Sequence, residues 1–409
     1  MNDLKQALER LYRLTVHGRK LGLTRVQAAC DKLGNPERSF AAVHVAGTNG
    51  KGTVCAFVAS MARAAGQNVG VYTSPHLCRF AERINIGGVP LEDDKLVHYL
   101  NQVMDLGPDL TFFEVATVAA FLAFRDAGVE LAVLEVGLGG RLDATNVIPA
   151  PKVAAITRVS YDHMPELGDS LSLIGAEKAG IIKAGSSVVL GKLHPDARAA
   201  AELRIAEVGA RLVPLGSPEP VTGAPLAYPR VALVGSNLAV AVTIGRELGY
   251  SAEALAKGVE QTVWPGRNEL LHRNGQELTL LDCAHNPDGA VALSHALDPS
   301  VLGDIESRRE IALVFGALNT KNWRAMLKRL ESVAGHRVFV APPVGRAVDP
   351  NEMSWACPGE VAESVPDALA RARTLVGPRG LVVVTGSIFL VGAARASLLN
   401  LPTDPAIDL

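Results

Sequence analysis

Residues 41–53 read Ala41-Ala42-Val43-His44-Val45-Ala46-Gly47-Thr48-Asn49-Gly50-Lys51-Gly52-Thr53, and the fold is decided in this stretch. Ala41 to Ala46 reads as a short buried strand. Gly47 to Thr53 is a glycine-rich turn, and Val54 to Ala65 (VCAFVASMARAA) has helix-forming composition. A glycine turn between a strand and a helix aims backbone N–H groups and the positive end of the helix at a phosphate. In that arrangement Lys51 neutralises the terminal phosphates and the Thr53 hydroxyl is placed to hold magnesium. The competing reading is a tight turn with a solvated lysine, which the strand-to-helix context disfavours. The spacing also departs from the standard phosphate loop. It has fewer residues between glycines and an extra Gly52 after the lysine, which points to a particular branch of ATP users.

The same alternation continues outward. Gly66 ends the helix, and Val69 to Thr73 (VGVYT) returns as a strand. Leu131 to Val136 and Val153 to Thr157 are two further strands, and Val115 to Ala127, apolar almost all round, predicts a buried helix ahead of them. β-rich runs alternating with helical patterns argue for α/β layers around parallel sheets. A chain of 409 residues is too long for one comfortable core, so two domains are expected. Leu215 to Arg230 (LGSPEPVTGAPLAYPR) reads as an irregular surface segment. Trp264 to Asn274 (WPGRNELLHRN) reads as the domain boundary. Beyond it, Leu278 to Asp282, Ile311 to Phe315, Arg337 to Ala341 and Leu381 to Thr385 are strands of a second, smaller Rossmann-like layer. The expected domains are 1–268 and 269–409.

Composition excludes several classes. With 48% hydrophobic and 20% charged residues the chain can build ordinary globular cores. No stretch is long and apolar enough to span a bilayer, and the N-terminal MNDLKQALERLYRL lacks the apolar run of a signal peptide. A net charge of -2 provides no basic field for nucleic acid. The cysteines, Cys30, Cys55, Cys78, Cys283 and Cys357, are odd in number and show no Cys-x-x-Cys spacing, which predicts reduced, mostly buried thiols in a cytoplasmic enzyme. The expected partners are small molecules, with no nucleic acid or membrane, and the expected state is a monomer.

The run HVAGTNGKGT resembles the ATP loop of the Mur ligase superfamily. Further motifs follow in order: Thr73-Ser74-Pro75-His76-Leu77, Phe112-Phe113-Glu114, and Leu134 to Asn146 (LEVGLGGRLDATN). They continue as Asp162-His163, Glu177-Lys178-Ala179-Gly180-Ile181, Trp264-Pro265-Gly266-Arg267, Asp282-Cys283-Ala284-His285-Asn286-Pro287 and Thr385-Gly386-Ser387. Together they resemble the folylpolyglutamate synthase/dihydrofolate synthase family over nearly the whole chain. The resemblance implies an α/β fold with an N-terminal Mur-ligase-like central domain carrying the phosphate loop and a smaller C-terminal Rossmann-like domain. It implies a ligase that phosphorylates a folate-type carboxylate with ATP and then transfers it to L-glutamate through an acyl phosphate. Dihydropteroate and reduced folates are the implied acceptors. The alternatives are a monofunctional folylpolyglutamate synthase or another Mur-type amide ligase.

On the matching positions, the resemblance implies nucleotide contacts from Gly47, Thr48, Asn49, Gly50, Lys51, Gly52, Thr53, Asn237, Arg267, Asp282 and His285. It implies two magnesium ions, one held by Ser74 and Glu135 and the other by His163 beside Glu135, with Thr53 of the loop also counted among the metal ligands. Lys178 is implied to become a carbamate that supports a magnesium. Lys51, His163 and Lys178 form the implied catalytic set. Thr111, Phe112, Phe113, Glu114, Leu142, Asp143 and Ala144 are the implied pterin segments, with flat faces on Phe112 and Phe113 and an acceptor for pterin N–H groups on Asp143. A guanidinium at a hinge, Arg267, would clamp phosphate as the domains close.

Each assignment has a plainer competitor in the residues themselves. Glu135 could form a salt bridge to Arg141, Ser74 could be a turn hydroxyl, and His163 a satisfied loop histidine. Lys178 could pair with Glu177 or Asp162 on an exposed helix. His44 reads as a packed core residue. Two departures from the family stand out: Thr320-Lys321-Asn322 loses both carboxylates of an Asp-Lys-Asp pattern, and Lys20 precedes Leu21 to Val26 where bifunctional members often carry an acid.

Overall fold

The computed structural model describes residues 2–14, 22–107, 109–216, 230–271, 278–298 and 310–404. The segment read as irregular falls mostly outside these residues, as do Lys20, Leu21 and positions 272–274 of the expected boundary. The chain forms two compact units. One holds Met1–His76, Phe80–Pro225 and Gly235–Val263; the other holds Leu77–Arg79, Leu226–Val234 and Trp264–Leu409. The division at Trp264 lies ahead of the Asn268 limit read from the sequence.

Among the described residues the first unit carries an eight-stranded sheet. Its strands are β1 (Ala41–Ala46), β2 (Val69–Tyr72), β3 (Ile84–Ile86), β4 (Val89–Pro90), β5 (Leu131–Glu135), β6 (Val153–Ile156), β7 (Ser187–Leu190) and β8 (Arg211–Val213). They lie in the order β4-β3-β2-β5-β1-β6-β7-β8. The pairs from β2 across to β8 are parallel, while β3 and β4 form an antiparallel edge. Helices on both faces explain why β1, β5 and β6 are apolar along nearly their whole length. The chain leaves β1 toward β2 on one side and leaves β6 toward β7 on the other. The order therefore reverses between β1 and β6, where open α/β sheets open a crevice at the carboxyl ends of their strands.

Two helices carry residues of the phosphate loop and of the implied pterin segments. Lys51–Ala64 starts at the lysine itself, ahead of the Val54 start read from composition, because Gly50 can take the left-handed N-cap conformation at φ 87°. Phe112–Asp126 likewise starts ahead of Val115. Thr111 caps it, accepting from the Glu114 N–H at 3.3 Å while Glu114 accepts from the Thr111 N–H at 2.7 Å. Twelve of its residues are buried, so the helix is core almost all round, as its composition predicts.

The second unit's described strands are β9 (Glu269–Leu271), β10 (Leu278–Leu281), β11 (Ile311–Phe315), β12 (His336–Phe339), β13 (Glu360–Val361) and β14 (Leu381–Thr385). They lie in the order β13-β12-β11-β14-β10-β9, parallel except for β9. Leu381 and Val383 enter one core and Val382 and Val384 the other, so both faces of the sheet are covered. Asn322 accepts from the Ala325 N–H at 3.2 Å and caps the helix Trp323–Leu330.

Candidate active site

The loop after β1 is built to approach an anion closely. Gly47 has φ 152° and Gly50 φ 87°. A Cβ on Gly47 would lie 2.0 Å from Thr157 Oγ1, and one on Gly50 would lie 2.3 Å from Asn237 Oδ1. Thr157, at the end of β6, donates to the Asn49 carbonyl at 2.7 Å, and Thr48 Oγ1 bonds Ser160 at 3.1 Å through both its N–H and its carbonyl. The loop is thus fastened to the segment after β6, across the reversal in strand order. Asn237 lies beside Gly50.

Three charged side chains converge here. Lys51 Nζ donates to the Gly47 carbonyl at 3.2 Å and lies 3.9 Å from Glu135 Oε1. Glu135, which ends β5, also accepts from the Ser74 N–H at 3.1 Å, next to a cis Ser74–Pro75 peptide. Its alternative partner is excluded, since Arg141 pairs with Glu177 at 2.8 Å. Lys178 is buried and donates to the same Gly47 carbonyl at 3.1 Å, so it is not an exposed helix lysine. Burial, reinforced by the Lys51 charge, lowers its pKa to about 7. His163 begins the short helix Met164–Leu167 in a left-handed conformation, φ 52°, with Nε2 3.9 Å from Asp162 Oδ2.

The donor set fits a divalent ion. Thr53 and Ser74 bring hydroxyls, Glu135 brings a buried carboxylate, and hard oxygen ligands suit magnesium. Among the described residues no group of three or more His, Cys, Asp or Glu gathers as a ready-made cage.

The residues of the implied pterin segments lie in different surroundings from one another. Phe112 is 6% exposed and packs edge-on to Phe80 and against Tyr12, so its faces belong to the core. Phe113 is only partly buried. It lies on Tyr72 and over Gly137, where a Cβ would meet its ring at 2.4 Å. Glu114 is occupied by its cap and by Arg25, at 2.9 Å. Asp143, 4% exposed, accepts from the N–H groups of Gly137, Leu138 and Thr145 and from the Thr145 hydroxyl at 2.5 Å. Its oxygens face its own loop rather than an open pocket. Thr145 in turn bonds His44 Nε2 at 2.8 Å, which confirms His44 as a core residue and links β1 to the loop after β5. Leu142 is partly exposed, while Thr111 and Ala144 are buried.

Sequence reading missed Thr157 and Arg83, and took Arg25 only as part of the Leu21 to Val26 loop. Thr157 carries a weak signal as the polar residue that ends an apolar strand; Arg83 carries none apart from the fold.

In the second unit Arg267, Asp282 and His285 come together at the end of β10. Arg267 Nη1 and His285 Nδ1 each bond the Cys283 carbonyl at 2.9 Å. Asp282 accepts from the N–H groups of Asn268 and Ala284, and burial raises its pKa against the opposing pull of Arg267.

The chain matches the Mur ligase middle domain over residues 45–192 and the Mur ligase glutamate ligase domain over residues 266–388. It is 33% identical to the dihydrofolate synthase/folylpolyglutamate synthase of Bacillus subtilis, covering 94% of this chain and 97% of that one. A solved structure of Escherichia coli FolC in complex with DHPP and ADP superposes with a TM-score of 0.86 at 29% identity, covering 96% and 98% of the two chains. A bifunctional folylpolyglutamate synthase/dihydrofolate synthase structure with Mn, AMPPNP and L-glutamate bound gives 0.81 at 31%, covering 94% and 95%.

Proposed function

The chain belongs to the dihydrofolate synthase/folylpolyglutamate synthase family of Mur ligases, and on that premise we propose that it is an ATP-dependent ligase joining L-glutamate to dihydropteroate and to reduced folates. The observation that carries this reading is the convergence of Lys51, Glu135 and Lys178 on the Gly47 loop. A carboxylate that attacks a triphosphate brings anions together, so catalysis consists largely of offsetting that charge and aligning the reactants.

The chemistry has two displacements. A carboxylate oxygen of the acceptor attacks the γ-phosphorus of ATP. The bond to the β-phosphate bridging oxygen breaks, and ADP leaves with the electron pair. The amine of glutamate then attacks the acyl carbon, the carbon–oxygen bond to phosphate breaks, and the surplus amine proton goes to the departing phosphate. Loop N–H groups and the Lys51 ammonium hold the transferring phosphoryl, and bound magnesium, here two ions, would offset further charge. Thr53, Ser74 and Glu135 are the residues to hold one ion. His163 and Lys178, the latter as a carbamate, are assigned to the other. Asn237 in the first unit and Arg267, Asp282 and His285 in the second are read as nucleotide contacts.

Phe113 and Leu142 are read as the pterin-facing members of their segments, while Thr111, Phe112, Glu114, Asp143 and Ala144 shape the walls. The same reading places a monomeric enzyme in the cytoplasm, in keeping with five buried cysteines that form no disulfide among the described residues. The test is phosphate release with dihydropteroate and tetrahydrofolate, each with and without glutamate. Release that requires both an acceptor and glutamate, with either acceptor, is the expected result. ATP hydrolysis independent of both would overturn it.

A further inference from the structure

Arg83 is a buried cation whose fork has no protein partner among the described residues. It is 2% exposed, among the largest fully buried side chains. Nε donates to His76 Nδ1 at 2.9 Å, and the guanidinium carbon lies 5.2 Å from the Phe80 ring centroid and 5.1 Å from that of Phe112. Those contacts use one N–H and the flat faces. The two Nη groups, with four N–H donors, have neither a hydrogen bond nor a carboxylate within ion-pair distance among the described residues, and they are not among the sealed, unpartnered polar atoms.

Its position follows from strand register. Tyr72 pairs with Ile84 across the antiparallel β2–β3 edge and with Leu134 across the parallel β2–β5 pair. The Thr73 N–H donates to the Arg83 carbonyl at 3.0 Å. Arg83, Thr73–Ser74 and Glu135 therefore lie side by side at the carboxyl end of the parallel strands, and the Glu135 charge acts on Arg83.

A structural arginine stacked between aromatic rings is the plainer account. It explains the faces and Nε but not the fork. Removing a cation from water costs several kcal/mol unless an anion compensates, and an apolar residue of similar length would fill the same space without that cost. The unused N–H groups of a guanidinium can donate charge-assisted hydrogen bonds to a single carboxylate oxygen.

Resting on the ligase reading above, we infer that Arg83 binds the carboxylate of the acceptor substrate beside Ser74 and Glu135. It holds one oxygen and leaves the other to attack phosphorus. That held oxygen becomes the carbonyl oxygen of the acyl phosphate, where negative charge gathers when the amine adds, so the same contact strengthens in the second displacement.

The experiment is a two-by-two binding cycle: dihydropteroate and its primary carboxamide against wild type and Arg83→Met. Replacing the carboxylate by the amide should weaken binding to wild type about 10- to 100-fold, the scale of a charge-assisted hydrogen bond. In Arg83→Met the two ligands should bind within about threefold of each other. An equal ratio in both proteins would overturn the inference and leave Arg83 structural. A raised KM for L-glutamate with an unchanged ratio would also overturn it, placing a glutamate carboxylate at the fork instead. Arg83→Lys, which keeps the charge, repeats the cycle should the methionine variant fail to fold. Wild-type turnover with both acceptors, measured first, separates a failure of the ligase reading from a failure of the Arg83 assignment.

Discussion

Lys178 Nζ and the carbonyl of Gly47 are 3.1 Å apart, a hydrogen bond between a buried amine and the first glycine of the phosphate loop. The amine's pKa is lowered from 10.5 to about 7 by burial and then by Lys51. The unfolded chain thus holds more protons than the native one between those two values, and this group's contribution to stability rises with pH across that window. The same shift leaves a large fraction of the amine neutral near neutral pH. A neutral amine can add to carbon dioxide and lose a proton to water, becoming an anionic carbamate. Stripping bicarbonate should therefore lower activity, and restoring it should restore activity. At constant dissolved carbon dioxide the stimulation should grow between about pH 6 and pH 8 as the amine deprotonates. Lys178→Met should be inactive and unresponsive. Full wild-type activity without bicarbonate would rule the carbamate out.

Lys51 lies between the Gly47 carbonyl and Glu135 with its side chain 15% exposed, so it is largely buried beside a buried carboxylate. Lys51→Ala should lower kcat by about 10²–10³-fold or more, measured on protein shown to be folded at the assay temperature. A folded variant with near-wild-type turnover would remove the phosphate loop from the mechanism.

Gly137 is overlaid by the Phe113 ring, with a hypothetical Cβ at 2.4 Å. Gly137→Ala should push the ring aside and raise KM for dihydropteroate and tetrahydrofolate, with KM for ATP within about twofold of wild type. An equal rise for ATP would show that the loop after β5 serves the nucleotide as much as the pterin.

The phosphate loop, the strands around it and the buried helix after Thr111 were legible because each rests on local pattern: glycines between a strand and a helix, and apolar runs of the right length. The interior roles were not. Phe112 and Phe113 are neighbours of one type, yet one points into the core and the other over Gly137, because consecutive helical positions face about 100° apart. Glu114 reads as a ligand-facing acid until its capping box and Arg25 are seen, and Arg25 is remote in sequence. Arg83 was illegible because its placement depends on the pairing of β2 with both β3 and β5. Register at that range is settled by tertiary packing.

His44 is fully buried, and burial followed by the Lys183 charge lowers its pKa from 6.5 to about 3. The unfolded chain takes up a proton between those values that the native one excludes, so stability falls as pH drops from about 6.5 toward 3. His44→Gln can keep a donor to Thr145 and has no titrating ring. Urea midpoints measured from about pH 7 to pH 4 should fall less steeply in the variant than in wild type. Parallel profiles would show that the acid sensitivity arises elsewhere.

Asp143 gathers the N–H groups of Gly137, Leu138 and Thr145 and the Thr145 hydroxyl, and through Thr145 it is tied to His44 on β1. Burial raises its pKa while those four donors hold it down, so the carboxylate anchors the loop between Glu135 and the strand that carries the phosphate site. Asp143→Asn keeps the shape but turns one acceptor oxygen into a donor, which opposes an N–H or a hydroxyl hydrogen instead of accepting from it. One or two buried donors then lose their partner, at a cost of about 1–3 kcal/mol. Because the loop's shape is common to both acceptors, kcat/KM should fall by similar factors with dihydropteroate and with tetrahydrofolate, and the urea midpoint should fall with them. The measurement is both activities and the midpoint on one preparation. A variant of unchanged stability that loses only the dihydropteroate reaction would instead place the Asp143 oxygens on the pterin ring, where the family resemblance first put them.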